Sequence, residues 1–250
     1  IATVHDFGSR ASHQIDDLLN ASRIVNWGKD LSRSSIHTAA IVSKARRRGV
    51  PVLSISPGGD EHDSFADEHI CIRPGSDRFL AAAAARLCVE RKLLHPTVFD
   101  QTRHWTKYRQ TLFQHSLDEL IAYCDVSTRD IEKIVDFYTD DQPTATLIGA
   151  GLQRYQYGGE NVRYINASAL LTGNIGKSGG GSYFHLHSYA NLNLDWTKDY
   201  PQKPRRAFFT PTIGRDILNA ENPPVKMIWV NGTNIVNQAP NIHQIIQAFE

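Results

Sequence analysis

The residues best suited to chemistry in this chain are glycines and the polar residues that follow them. An apolar run at 145–148 feeds Gly149-Ala-Gly151-Leu152-Gln153-Arg154, and a helix length later comes Leu171-Thr-Gly-Asn-Ile-Gly-Lys-Ser-Gly-Gly-Gly181. Glycine carries no Cβ, so backbone N–H groups in such turns can approach a bound anion closely. Two glycine turns bracketing one helix point to a large phosphorylated ligand. Arg154 reads either as a ligand contact or as a cation capping a helix end or pairing with a carboxylate. His185 and His187 would share one face of a strand, the spacing of a metal pair, with no third ligand in view. The three cysteines, Cys71, Cys88 and Cys124, form no C-x-x-C pair and read as small buried residues rather than an iron–sulfur or zinc framework.

These residues need elements to position them. Ile24–Trp27 is a short apolar strand ending in Gly28. Residues 36–48 have helical spacing, with Ile36, Ala40 and Ala45 as inward candidates and a basic, solvated end at Arg46, Arg47 and Arg48. Residues 50–55 read as a buried strand, 69–72 as a shorter one, and the alanine-rich 79–91 as a helix. Residues 95–141 read as mostly helical, with an N-cap near Ser127 and Ile131, Ile134, Val135 and Tyr138 on one face. A strand at 144–148 and a helix at 162–171 follow. Strand–helix alternation at this spacing implies a parallel sheet with right-handed crossovers. Residues 182–223 show no sustained period and read as a long structured loop. A strand at 225–230, a turn at 231–234 and a helix at 242–249 then open a second strand–turn–helix unit.

Composition narrows the function classes. The 250 residues are 41% hydrophobic and 21% charged, ordinary for a globular protein, and the net charge of +1 offers no basic field for nucleic acid. No apolar run reaches the length of a membrane span. Residues 1–8 read as a strand entering a turn, without a charged n-region or cleavage site, so neither a signal peptide nor a twin-arginine leader is expected. The compartment, cytoplasmic or periplasmic, stays open.

Five segments in order resemble one family. Asn26-Trp-Gly-Lys-Asp30 looks like a tryptophan-glycine-x-asparagine turn, and Ala66-Asp-Glu-His-Ile-Cys-Ile-Arg-Pro-Gly-Ser-Asp77 like "ADxHixixPGtD". Residues 149–158 and 172–181 look like "GxGxxRhxnG" and "TGNIGxpGGG", and Trp229-Val-Asn-Gly-Thr-Asn234 like a later glycine-x-asparagine turn. Over almost its whole length the chain resembles the central part of the catalytic subunit of the molybdopterin guanine dinucleotide oxidoreductases, the family of dimethyl sulfoxide reductase, periplasmic nitrate reductase and formate dehydrogenase. The resemblance implies an α/β fold: a Rossmann-like doubly wound parallel sheet over 1–178, then a connecting region and the start of a second α/β cofactor-binding unit over 179–250. It implies two pterin guanine dinucleotides around molybdenum or tungsten, a small-molecule redox substrate, and a partner iron–sulfur electron-transfer region outside this segment. The cofactor-binding residues it implies are Gly28, Asp30, Ser56, Asp77, Gly149, Gly151, Leu152, Gln153, Arg154, Gly232 and Asn234. Gly28, Gly149 and Gly151 would present N–H groups to a diphosphate at strand ends. The Asp77 carboxylate would accept guanine N1–H and N2–H, although the same position equally fits an N-cap of helix 79–91.

The chain departs from the family's pattern at Asp30, Leu31, Ser56 and Ile235, where asparagine, proline, aspartate and proline are usual. Ser56 can make one hydrogen bond but no bidentate pair. Residues 182–188 lack the arginine typical of formate dehydrogenases, which weighs against formate oxidation. The family's metal-ligating residue would precede Ile1, so this segment alone is expected to hold neither metal nor cofactor stably and to be inactive. Two rivals are a nicotinamide enzyme, which would need a G-x-G-x-x-G after the first strand and an acid after the second, and a degenerate, non-catalytic structural or cofactor-carrying subunit.

Overall fold

The structure is a computed structural model that describes residues 2–8, 12–58, 64–184, 193, 195 and 206–250. His185 and His187 lie outside the described residues. The chain divides into two compact units, Ile1–Ala190 and Asn191–Glu250.

The first unit is built on a five-stranded sheet in the order β3-β2-β1-β4-β5, from β1 (Arg23–Trp27), β2 (Val52–Ser56), β3 (Glu68–Cys71), β4 (Thr144–Ile148) and β5 (Gly181–Tyr183). Every neighbouring pair is parallel. Strand side chains alternate between faces, and both faces are buried. Val25, Trp27, Leu53, Ile55 and Ile148 enter one core with helices α3 (Asp77–Glu90), α6 (Leu117–Cys124), α7 (Thr128–Thr139) and α8 (Gly158–Leu171). Ile24, Val52, Ala145, Leu147 and Tyr183 enter the other with α2 (Ile36–Arg46) and the 3-10 turn Ile15–Asn20. Helices on both faces of a parallel sheet make it doubly wound, as expected.

Local chemistry explains the helices. Ala81–Ala85 are all buried, and their small side chains let α3 lie close to α8. Ser116–Glu119 and Ser127–Asp130 form capping boxes that start α6 and α7. Ile131, Ile134, Val135 and Tyr138 of α7 are buried, as their spacing predicts. Short helices α4 (Val98–Gln101) and α5 (Trp105–Leu112) complete the crossover.

Several expectations need correction. Residues 2–7 form helix α1 rather than a strand: Asp6 accepts from Arg163 Nε at 2.7 Å and Asn166 Nδ2 at 2.8 Å, which docks the segment on α8. In α2, Ile36 is 62% exposed and Ala40 is also exposed, while Thr38, Ala39, Val42 and Ala45 face inward. The region read as loop contains β5, so the sheet extends past residue 178. Three residues are too few to show a period, and pairing with β4 defines that strand.

The second unit, taken by itself, has α9 (Ile213–Leu218), α10 (Ile235–Gln238) and α11 (Ile242–Phe249). α9 packs on α11 where Gly214 meets the backbone; a Cβ there would stand 2.9 Å from Gln244 C. Residues 225–230, expected as a strand, pair with no strand among the described residues, and Met227 and Trp229 are 83% and 86% exposed. An apolar run makes a strand only when a neighbour supplies ladder hydrogen bonds.

Candidate functional site

From β1 the chain winds outward through β2 and β3, then returns to β4 on the other side of β1 and continues to β5. The order therefore reverses between β1 and β4. In open α/β sheets this switch point leaves a crevice at the carboxyl ends of the strands. Trp27 is level with Ile55 and Ile148, so the residues following β1, β2 and β4 emerge side by side.

Two glycine turns meet there. Gly149 N–H donates to Trp27 O at 2.8 Å, and a Cβ on Gly149 would lie 1.7 Å from Gly28 O. Space, not backbone angle, demands glycine at 149, whose φ is −77°. Gly28 has φ +64° and is covered by the buried Leu152 side chain. Around Gly151 nothing lies within 4 Å of where a Cβ would be, and Gln153 and Arg154 are exposed. Gly158, which opens α8, is crowded by Gln153 Cα at 2.6 Å and Leu152 O at 2.7 Å. The turn 149–158 is thus folded tightly on itself, with its Gly151–Arg154 rim open.

Asp77 lies in the first turn of α3 with Ser76 in the N-cap position. It is 3% exposed, and Oδ1 accepts from Trp27 Nε1 at 2.9 Å. Burial pushes its carboxyl above the usual range, with the indole bond opposing. The turn before it is lashed to the 149–161 segment. A Cβ on Gly75 would sit 3.2 Å from the Tyr155 ring, and Arg78 N–H donates to Asn161 Oδ1 at 3.3 Å. The Arg78 guanidinium lies 4.5 Å from the Phe79 ring centroid and 4.8 Å from that of Tyr157. Gly28, Asp77, Gly149 and Leu152 are therefore brought together.

Ser56 ends β2 on the opposite face from Trp27. Its hydroxyl donates to Gly58 O at 2.6 Å, so it accepts from His69 Nε2 at 3.0 Å. Asp30 Oδ1 accepts from Ser32 Oγ at 2.9 Å and Arg33 N–H at 3.0 Å, closing its own turn. Asn26, absent from the sequence-based set, ties the crevice floor: its Nδ2 donates to Lys29 O at 3.0 Å, and its buried Oδ1 has no partner among the described residues. A polar residue between Val25 and Trp27 in an otherwise buried strand was the available signal. Gly232, with φ +69°, and Asn234, at the N-cap of α10, lie in the second unit.

The second glycine cluster serves a different end of the molecule. α8 is 14 residues long, so about 20 Å separates its two ends. Residues 173–181 lead from its C-terminus into the start of β5, at the amino edge of the sheet. Asp17 pins them, accepting from Ser178 Oγ at 2.6 Å, Gly179 N–H at 2.8 Å, Asn20 Nδ2 at 3.0 Å and Tyr183 Oη at 2.9 Å. Burial alone would raise this carboxyl, but these bonds together hold it well below the usual carboxylate range. A Cβ on Gly179 would stand 2.3 Å from the Asn20 backbone. These glycines permit close packing; they do not bracket the switch-point crevice.

The family model for molybdopterin oxidoreductases matches residues 4–250. The chain belongs to the molybdopterin oxidoreductase family. Among family members, it is 30% identical over 250 residues to the probable oxidoreductase YyaE of Bacillus subtilis, covering 98% of this chain and 37% of that protein. It is 27% identical to formate dehydrogenase H of Escherichia coli over 171 residues, covering 68% of this chain and 24% of that protein. The acetylene hydratase of Pelobacter acetylenicus shares the fold, with a TM-score of 0.63 at 15% identity over 71% of this chain and 24% of that one. The chain spans about a third of the length of its first two curated relatives, at 37% and 36%. Among the described residues, no three His, Cys, Asp or Glu side chains converge as a metal site, and no helix is long and apolar enough to cross a membrane.

Proposed function

We propose that this chain cradles a molybdopterin guanine dinucleotide within a longer molybdenum- or tungsten-dependent oxidoreductase acting on a small-molecule substrate. The observation that carries the reading is the Gly28–Gly149 backbone contact at the switch point. There a Cβ would collide with backbone at Gly149, while the rim from Gly151 to Arg154 stays open. The residues fit the group by shape: the Gly28 and Gly149 N–H groups, expected to meet the phosphates, instead donate to Ile55 O and Trp27 O at 2.8 Å each, so these two glycines would offer a bare backbone surface to the diphosphate beside Gly151, with Gln153 and Arg154 on its open side and Asp77 at the guanine edge. Leu152 would hold the first turn in shape by covering Gly28. Asp30 and Ser56 would act through backbone and shape, since their side chains are committed to their own turns. Gly232 and Asn234, in the second unit, would be cofactor contacts of that unit by itself. When bound, the metal–pterin group supplies two-electron redox chemistry, oxygen-atom transfer included; the protein binds, orients and shields it.

The test is Gly151→Val in the full-length protein. A valine side chain has room there, so the fold should survive. Extraction and quantification of guanine dinucleotide, with elemental analysis for molybdenum and tungsten, should show the cofactor lost. A folded variant with wild-type cofactor content would remove the turn from the site. A second reading, a non-catalytic cofactor-carrying or structural subunit of the same family, draws support from Ser56, whose hydroxyl proton goes to Gly58 O. Full cofactor loading without turnover of any redox substrate would favour it. The fold alone does not choose between reaction classes, since a hydratase shares it.

A further inference from the structure

We infer that Lys29 is a diphosphate-binding residue of this site, its ammonium neutralising the negative charge of a nucleotide diphosphate bound over the Gly28–Gly149 contact. The inference rests on the nucleotide reading above and adds to it a residue and a charge requirement.

Position comes first. Lys29 follows the left-handed Gly28 directly, and its backbone nitrogen would lie 2.7 Å from a Cβ placed on Gly149. Its carbonyl is clamped by Asn26 Nδ2 at 3.0 Å. The residue is therefore fixed at the rim where β1 and β4 diverge. Its side chain is half-buried. Charge follows. Several partly buried cations of the unit are paired: Arg23 with Asp140, Arg46 with Asp67, Arg86 with Glu90 and Lys133 with Glu68, whereas Lys177, at the other edge of the sheet, has no ion pair among the described residues. Lys29 has no ion pair among the described residues. The neighbouring acid, Asp30, closes its own turn through Ser32 and Arg33. Burial pushes the Lys29 ammonium below the ordinary lysine range, with no carboxylate countering the shift. A half-buried cation that has no ion pair among the described residues would gain from a bound anion. Arg154, exposed at the end of the turn after β4, likewise has no ion pair among the described residues. A cation thus follows each of the two glycine turns that meet at the switch point, one half-buried and one open, an arrangement suited to the two phosphoryl groups of a diphosphate.

The test titrates GDP into the full-length protein, purified from a host that makes no molybdopterin. Calorimetry at 50 and 200 mM salt is compared for wild type, Lys29→Met, Lys29→Arg and Gly151→Val. Methionine keeps the apolar stem, so the fold and Tm should be retained or improved. Lys29→Met should weaken GDP binding about tenfold or more and reduce its salt dependence, while Lys29→Arg should stay near wild type. Wild-type affinity in a folded Lys29→Met variant overturns the assignment of Lys29 while leaving the nucleotide site standing. Wild-type GDP binding that Gly151→Val leaves untouched, or no GDP binding by the wild type, overturns both. Equal loss in Lys29→Met and Lys29→Arg, with a lowered Tm, assigns Lys29 to the fold and overturns the charge role.

Discussion

At the scale of single residues, Asp77 carries two demands that one substitution can separate. Its Oδ1 holds the Trp27 indole, and its proposed role requires an ionised carboxylate facing guanine. Burial raises its pKa from the ordinary 3.8. An acid with a raised folded-state pKa costs the native state stability above its unfolded pKa, and the cost vanishes once pH falls below that value. Asp77→Asn keeps a carbonyl for the indole and removes the buried charge. Its Tm at pH 7 should equal or exceed wild type, and the difference should disappear below about pH 4. Cofactor retention should nevertheless fall, because a charge-assisted bidentate contact is worth about 1.5–3 kcal/mol. Equal dinucleotide content in the two proteins would leave Asp77 with its Trp27 role alone.

At the scale of elements, the loop between α8 and β5 depends on one carboxylate. Asp17 gathers Ser178, Gly179, Asn20 and Tyr183, and so fastens the glycine cluster to the 3-10 turn 15–20. Asp17→Ala should destabilise the first unit by about 2–3 kcal/mol in a denaturant titration near pH 7. Because the folded-state pKa is depressed, the contribution is complete above the unfolded pKa and is lost as pH falls below about 4 toward the folded value. Mutant and wild type should therefore converge in strong acid; a pH-independent gap would point to packing instead. On the opposite face the alanine run of α3 sets the spacing to its neighbours. Ala83 is fully buried, so Ala83→Leu should cost about 1–3 kcal/mol by overpacking, read by the same titration.

At the scale of the molecule, the two units differ in how fully their hydrophobic surface is used. The first has cores on both sheet faces; in the second, Met227 and Trp229 are exposed in a segment that pairs with no strand among the described residues. We expect residues 225–230 to exchange amide hydrogens rapidly in the 250-residue chain and slowly in the full-length protein, where further strands would pair with them. Fast exchange in both would mean that this segment never joins a sheet.

Much of this molecule was legible without coordinates because its signals are local. The strand-length apolar runs at 24–27, 50–55, 69–72 and 144–148, an alanine-rich helix, the Ser127 cap and the α7 stripe each lie within one element, and each formed. The motifs also nominated Gly28, Asp77, Gly149 and Leu152, which the fold gathers around one crevice. What tertiary structure decided is which end of the sheet each motif faces and what each polar atom meets. A glycine in sequence signals a need for space or positive φ, not the neighbour that creates the need. At 149 that neighbour is the Gly28 carbonyl beside an open rim; at 179 it is the Asn20 backbone at the other edge. The Trp27–Asp77 bond, the Ser56–His69 pair and the docking of α1 through Asp6 all join residues remote in sequence. Residues 225–230 show the same limit from the other side. Their apolar run, broken only by Lys226, suits a strand, but a strand exists only where a second one supplies its hydrogen bonds.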